Sequence, residues 1–466
     1  MKANTLKALR IVALVLVCML LTAVFGCGQQ TVHTGDVDQS LTEEDLEISG
    51  RVKLTVENGS GTDEEAMALR AVISAFEQRY QKTHVIYEES SRGTFPARIS
   101  SGDIGDVFWV DENDLSNYQR NHNALMPLDS YIKPLNIDMG DVYIGAVDCG
   151  RSEGRLYMVP RNLGESVMTF NKDMLKEAGI DYDGKEALDW ETFKDYCRRM
   201  TVMENGKYVQ VGAAMRVWWT VIWQMFFRGF GGEWIDNKNH RVTITDSTEV
   251  MTGINELIGA IQEGWLYPED VASRLKGEAY DIRSRIPDSI SNVAYACFKT
   301  FIDLSGLGTY GKTYDMMGID WDFCPFPALP THNISTGATG YVVFNRTDNP
   351  NAAAAFALFF LTEAGQRAYH SQSGGGVPLL KSLVNEDFWM GPGTAWTDKN
   401  FSAFVMYPDC TRPATVIVQA PAEIAEIFSN DNMIDLFARI LNGQVDIQTA
   451  FTSIQTKANE TWSTIV

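Results

Sequence analysis

Apolar and polar residues alternate through "RVKLTVENGS", and the alternation stops at Asn58-Gly59, which predicts a strand followed by a turn. The next stretch, "DEEAMALRAVISAFEQRYQKT", sets Ala66, Leu69, Val72, Ile73, Phe76 and Tyr80 at helical spacing. "HVIYEES" reads as a second strand. "FPARISSGDIGDVFWVDEN" reads as a short helix, a turn and a hydrophobic strand ending at Trp109 and Val110. Strand, helix, strand, helix, strand is the order of a mostly parallel sheet with crossover helices. The order returns in "RLYMVPRNLGESVMTFNKDMLKEAGI", where Asn171 or Asp173 caps the helix, and in "DWETFKDYCRRM", capped by Asp189. "STEVMTGINELIGAIQEGWL" predicts a helix that stops at Gly264. "TGYVVFNRT" reads as a buried strand, and "NPNAAAAFALFFLTEAGQRAYHSQSG" as one helix started by Pro350. The last segment, "DLFARILNGQVDIQTAFTSIQTKANETWSTIV", supplies C-terminal helices.

The ends follow a different pattern. Lys2, Lys7 and Arg10 precede an uncharged apolar run from Ile11 to Phe25. The run is short and N-terminal, so residues 1–26 read as a signal peptide. Cys27 follows "VFG", as in the bacterial lipoprotein cleavage box, although Phe25 stands where that box has a small residue. Cys27 is therefore the expected lipid-bearing residue, palmitate included, and the expected location is the extracytoplasmic face of the cell membrane. Residues 27–50 are polar, acidic and free of aromatics, and read as a flexible tether. Residues 51–466 are long enough for two lobes.

Composition narrows the partners. A net charge of −21 repels phosphate backbones, so nucleic acid is not expected. Seven cysteines occur, and removing Cys18 and Cys27 leaves Cys149, Cys197, Cys297, Cys324 and Cys410. They are scattered, with no CxxC pair, and read as buried small hydrophobes rather than as disulfides or a metal site. The chain has no GxSxG, HExxH or P-loop, so no catalytic residue and no cofactor is expected. Four of the eleven tryptophans fall in "AMRVWWTVIWQMFFRGFGGEW": Trp218, Trp219, Trp223 and Trp234. Trp219 and Trp223 are helical neighbours, and Trp218 points about 100° away, so the three cannot fill one core surface. In open parallel sheets ligands lie beyond the carboxyl ends of strands, which points to Glu57, Asp111 and the loop from Arg161 to Glu165.

Four segments in order then resemble the extracellular solute-binding proteins of ABC importers, in their sugar-binding, maltose-binding-like branch. They are "SGDIGDVFWVDENDLSNYQRNHNALMPLDSYI", with Gly105 for the usual proline; "GRLYMVPRNLGESVMTFNKDMLKEAGI", with Phe170 for tyrosine; "FRGFGGEWIDNKNHRVTITDSTEV"; and "FCPFPALP" with the strand and helix that follow. The resemblance implies a two-lobed α/β fold of the periplasmic-binding-protein type. Each lobe would be a mostly parallel sheet flanked by helices, joined to the other by a hinge. The first lobe would hold about 51–161 and a later return, and the second most of 162–466. It implies a monomer that captures a carbohydrate, expected to be an oligosaccharide, and hands it to permease subunits. The candidate ligand contacts are Glu57, Trp109, Asp111, Arg161, Trp218, Trp219, Trp223, Phe301 and Tyr341. Rival expectations are a binder of another polar solute, such as a polyamine or glycerol phosphate, and a glycan-cleaving surface enzyme.

Overall fold

The computed structural model describes residues 31–57, 63–164, 166–277, 279–281, 295–301, 304, 307–372, 376–407, 411–413 and 420–465. The predicted alternation becomes strand β1 (Gly50–Glu57), and the amphipathic stretch becomes helix α1 (Asp63–Arg79). Strands β2 (Thr83–Ser90), β3 (Val107–Asp111), β4 (Leu125–Met126) and β5 (Met158–Pro160) follow. A second series holds β6 (Val167–Asn171), α2 (Trp190–Arg199), β7 (Lys207–Met215), α3 (Thr220–Gly229), α4 (Thr248–Gln262), β8 (Leu266–Pro268), β9 (Ala296–Phe301) and β10 (Trp321–Pro325). The chain then forms β11 (Ile334–Thr336), β12 (Thr339–Phe344), α5 (Pro350–Phe359), α6 (Glu363–His370) and β13 (Thr411–Pro413). It closes with three helices: α7 (Ala422–Ile427), α8 (Asn430–Leu441) and α9 (Ile447–Ile465).

Two open sheets define two lobes. The first runs β2-β1-β3-β12-β4, with β5 also paired to β12. The second runs β8-β7-β9-β6-β10. The strands β1, β2 and β3 are mutually parallel, as are β7, β8 and β9. The antiparallel members include β12 in the first sheet and β6 in the second, each arriving from the opposite lobe. A strand that enters a sheet from its cleft edge must run against strands that end there. The carboxyl ends of β1 and β3 therefore share an edge with the start of β12, and those of β7, β8 and β9 share one with the start of β6.

The chain passes between the lobes after β5, after β10 and again before α7. These passages are tied together. The Ser166 hydroxyl donates to the Ser335 carbonyl (3.0 Å), and the Thr336 hydroxyl to the Gly164 carbonyl (2.6 Å). Strand β13 lies parallel to β11 beside them. Gly164 is glycine for a steric reason: a Cβ there would stand 2.3 Å from the Gly337 carbonyl oxygen. This hydrogen-bonded bundle of extended segments is the hinge.

Local signals explain most boundaries. Asp189 caps α2 by accepting from the Thr192 amide (2.9 Å), and Asn171, rather than Asp173, caps the helix after β6 through the Met174 amide (3.1 Å). α4 ends just before Gly264, which has φ +83. The alanine-rich stretch departs from the expected single helix. It breaks into α5 and α6, because Thr362 turns extended and accepts from the Gly365 amide (3.1 Å). Each lobe has its own apolar core, with Val52, Leu54, Val72, Phe76 and Phe356 in the first and Phe193, Trp223, Trp234, Ile254 and Phe437 in the second.

The acidic N-terminal stretch also differs from a free tether. From Thr31 to Ser49 it lies against the first lobe. Leu46 and Ile48 are buried in that lobe's core, and the Leu46 carbonyl accepts from the Asn351 side chain (2.6 Å). His33 and Asn345 share a backbone hydrogen bond (2.6 Å), and Glu43 pairs with Arg79 (2.7 Å). Two buried aliphatic side chains, each worth about 1.5–3 kcal/mol, are enough to hold an otherwise polar segment. Cys27 lies outside the described residues. Among the described residues, no helix is long and apolar enough to cross a membrane.

Candidate ligand-binding cleft

The carboxyl ends of both sheets open on three adjoining chambers between the lobes. The largest, about 640 Å³, is lined by Arg92, Asp111 and Asn113 from the first lobe and by Thr220, Glu426 and Phe428 from the second. A second, about 170 Å³, reaches the hinge, with Glu112, Arg161, Asn162, Gly164 and Gly337 in its wall. A third, about 90 Å³, is sunk into the second lobe among Arg216, Glu269, Lys299, Thr300, Phe301 and Tyr310. Trp219 borders all three. A separate pocket of about 510 Å³ lies among α1, α5, α6 and Asn136–Ile137 on the outside of the first lobe and shares no residue with them.

Trp219 holds this position because the helix starts after it. Its backbone is extended (φ −75, ψ 132), and α3 begins at Thr220. The shared helical face expected for Trp219 and Trp223 therefore does not form. Trp223 is fully buried in the second lobe, 4.8 Å from the Phe227 ring and 5.0 Å from the Trp234 ring. Trp218, half-buried, donates its indole N–H to Asp270 (3.1 Å) beside the cleft. Tyr341 also departs from the expectation of ligand contact. It is fully buried and stacks on Phe360 at 4.7 Å, because its register partner on β3 is Trp109 and both face the core under α5. Trp109, 4% exposed, belongs to that core too, with the Arg92 guanidinium 5.4 Å from its ring centre.

Of the remaining candidates, Asp111, Arg161 and Phe301 line the cleft, and Glu57 lines none of its three chambers. Asp111 lines two chambers and caps the following short helix, accepting from the Asn113 amide (2.9 Å). Arg161 lines the hinge chamber, is buried, and pairs with Glu65 of α1 inside the first lobe. Phe301 forms a wall of the third chamber and packs edge-on against Tyr310 at 5.0 Å. Glu57 ends β1 half-buried, and burial raises its carboxyl above the usual range, with Arg92 opposing and Asp111 and Asp114 adding to the rise. Glu165 is outside the described residues.

Several cleft residues escaped the sequence reading. Arg92 follows β2 and holds Asp114 at 2.8 Å. Arg216 and Glu269 directly follow β7 and β8, and Lys299 lies within β9. The strand-end rule that selected Glu57 and Asp111 would have selected Arg216 and Glu269, had the second lobe's strands been resolved from the pattern. Glu112 is a different case. It is 5% exposed, accepts from the Ala338 amide (2.8 Å), and burial, reinforced by Asp111, pushes its carboxyl well above the usual range. Nothing in a single sequence separates it from its exposed neighbours. Among the described residues, no group of three or more His, Cys, Asp or Glu side chains is placed to hold a metal ion. Cys149, Cys197, Cys297 and Cys324 are buried free thiols, as expected, and Cys410 is outside the described residues.

The cleft is that of a binding protein, two lobes meeting over a mixed aromatic and polar surface. Residues 59–282 match the family of bacterial extracellular solute-binding proteins. That segment is of this family, and the fold around it is the two-lobed fold of maltose-binding-like proteins. Among solved structures it is similar to the sugar-binding protein MalE of Xanthomonas citri, at 15% identity over 89% of this chain and 98% of that one, with a TM-score of 0.71. It is similar to the cyclic α-maltosyl-1,6-maltose binding protein of Arthrobacter globiformis, at 15% identity over 89% and 99%, with a TM-score of 0.67. An ABC substrate-binding protein of Listeria monocytogenes in complex with cycloalternan matches at 17% identity over 89% and 99%, with a TM-score of 0.66. No curated protein matches the chain.

Proposed function

We propose that this protein captures an oligosaccharide between its lobes and delivers it to the permease of an ABC importer. The observation that carries the reading is Trp219, a half-buried indole at the junction of three chambers whose polar walls come from both lobes. A sugar offers C–H faces and hydroxyl edges, which ask for a flat aromatic beside fixed hydrogen-bonding groups. A solute touching both lobes binds the closed form better than the open one and shifts the population by that difference. The permease then reads the closed form, and no bond of the solute is broken. The sugar-binding neighbours point the same way.

A ligand that binds only the folded protein raises its melting temperature by mass action. We expect at least one member of a panel of mono- and oligosaccharides to do so with a change in tryptophan emission. A response only to polyamines or glycerol phosphate would sink the carbohydrate reading and keep the transport one. Release of oligosaccharide fragments would favour the enzyme instead. The same proposal places the protein on the membrane through a lipid on Cys27. Cys27→Ser is expected to move the protein from the membrane fraction to the soluble one, and an unchanged membrane fraction would remove the anchor.

A further inference from the structure

The third chamber carries an imbalance of charge. Lys299, 5% exposed, pairs with Glu269, 3% exposed, and the Arg216 guanidinium stands 3.5 Å from the second oxygen of Glu269. Two cations thus face one carboxylate, an excess of positive charge inside a chain whose net charge is −21. Asp270, the next acid along, is engaged by the Trp218 indole. Two of the three groups are nearly buried, and taking charges out of water is costly unless they are well partnered. The Arg216 side chain keeps 44% of its surface exposed, so its planar fork remains open to a further acceptor. The Thr300 hydroxyl, which lines the same chamber, has no hydrogen-bond partner among the described residues.

Size sets the scale of what fits. Pockets for whole small molecules run from roughly 300 Å³ upward. About 90 Å³ is room for one substituent. Trp219, Phe301 and Tyr310 wall the chamber, so a sugar ring lying on Trp219 can direct one substituent between the cations. A carboxylate suits the position best, because it accepts from a guanidinium in two parallel hydrogen bonds and those bonds strengthen where water is excluded.

We infer that the solute is an acidic saccharide, and that its carboxylate seats in this chamber between Arg216 and Lys299. The inference rests on the carbohydrate reading above. The test is calorimetry on the purified protein with uronate-bearing di- and trisaccharides, each beside its carboxyl-reduced counterpart. At least one acidic form is expected to bind tenfold or more tightly than its reduced partner, with an affinity that falls as salt rises. Arg216→Gln is expected to erase that difference, the acidic form losing tenfold or more in affinity. Lys299→Met would leave Glu269 short of a buried partner and endanger folding, so the exposed arginine is the informative site. If reduced saccharides bind as well as acidic ones and Arg216→Gln changes neither, the acidic assignment is overturned and the saccharide reading stands. If no saccharide of either kind binds, both fall.

Discussion

Trp219 and Trp223 show how one backbone step decides what a side chain does. Both belong to the same aromatic cluster, and both suit a stacking platform by composition. Trp219 stays outside α3 and borders the cleft, while Trp223 lies inside the helix and fills the core. Glu112 shows the same dependence on place for a charge. It sits at the first-lobe end of the hinge, accepts from the Ala338 amide and neighbours Asp111 and the Cys149 thiol. Burial favours its neutral form. At low pH the folded and unfolded chains both hold this proton. As pH rises through the ordinary carboxylate range, the unfolded chain loses the proton and the folded chain keeps it. Stability from this group is therefore present at low pH and lost as pH rises. Glu112→Gln is expected to raise the melting temperature near pH 8 and to change it little near pH 4. Equal melting curves across that range would show that Glu112 ionises normally.

At the scale of elements, periodicity was enough where one face met a core and one met water. β1, α1, α2 and α4 could be read this way, and caps such as Asp189 were visible because the side chain and its target lie a few residues apart. The α5–α6 break was hidden. Ala352 to Phe360 are almost all apolar, so no change of face marks Thr362, whose cap acts on a helix that continues the same core. Tyr341 was misread for a related reason. A strand-opening aromatic after glycines looks like a cleft residue, but the pairing Tyr341–Trp109 across β12 and β3 sets the face, and pairing between distant strands is not written in either one. The hinge was illegible as a set of bonds, since Gly164, Ser166, Ser335 and Thr336 meet only after the first two crossings form.

At the scale of the molecule, the order of strands and helices predicted parallel sheets with crossover helices, the resemblance of four segments implied the two-lobed class, and the fold agrees with both. Charge was legible as a sum and not as a distribution. The net −21 said nothing of the cations set together at Arg216 and Lys299. The N-terminal stretch was misjudged because composition averages out the two residues, Leu46 and Ile48, that pin it to the first lobe. The central claim is that a saccharide is held where the lobes meet at Trp219. Calorimetric titration of the protein and of Trp219→Ala, with whichever saccharide raises the melting temperature, tests it most directly. Trp219→Ala is expected to keep the unliganded melting temperature within a few degrees and to weaken binding at least tenfold, about 1.4 kcal/mol. Unchanged saccharide affinity in a folded Trp219→Ala protein would contradict the account.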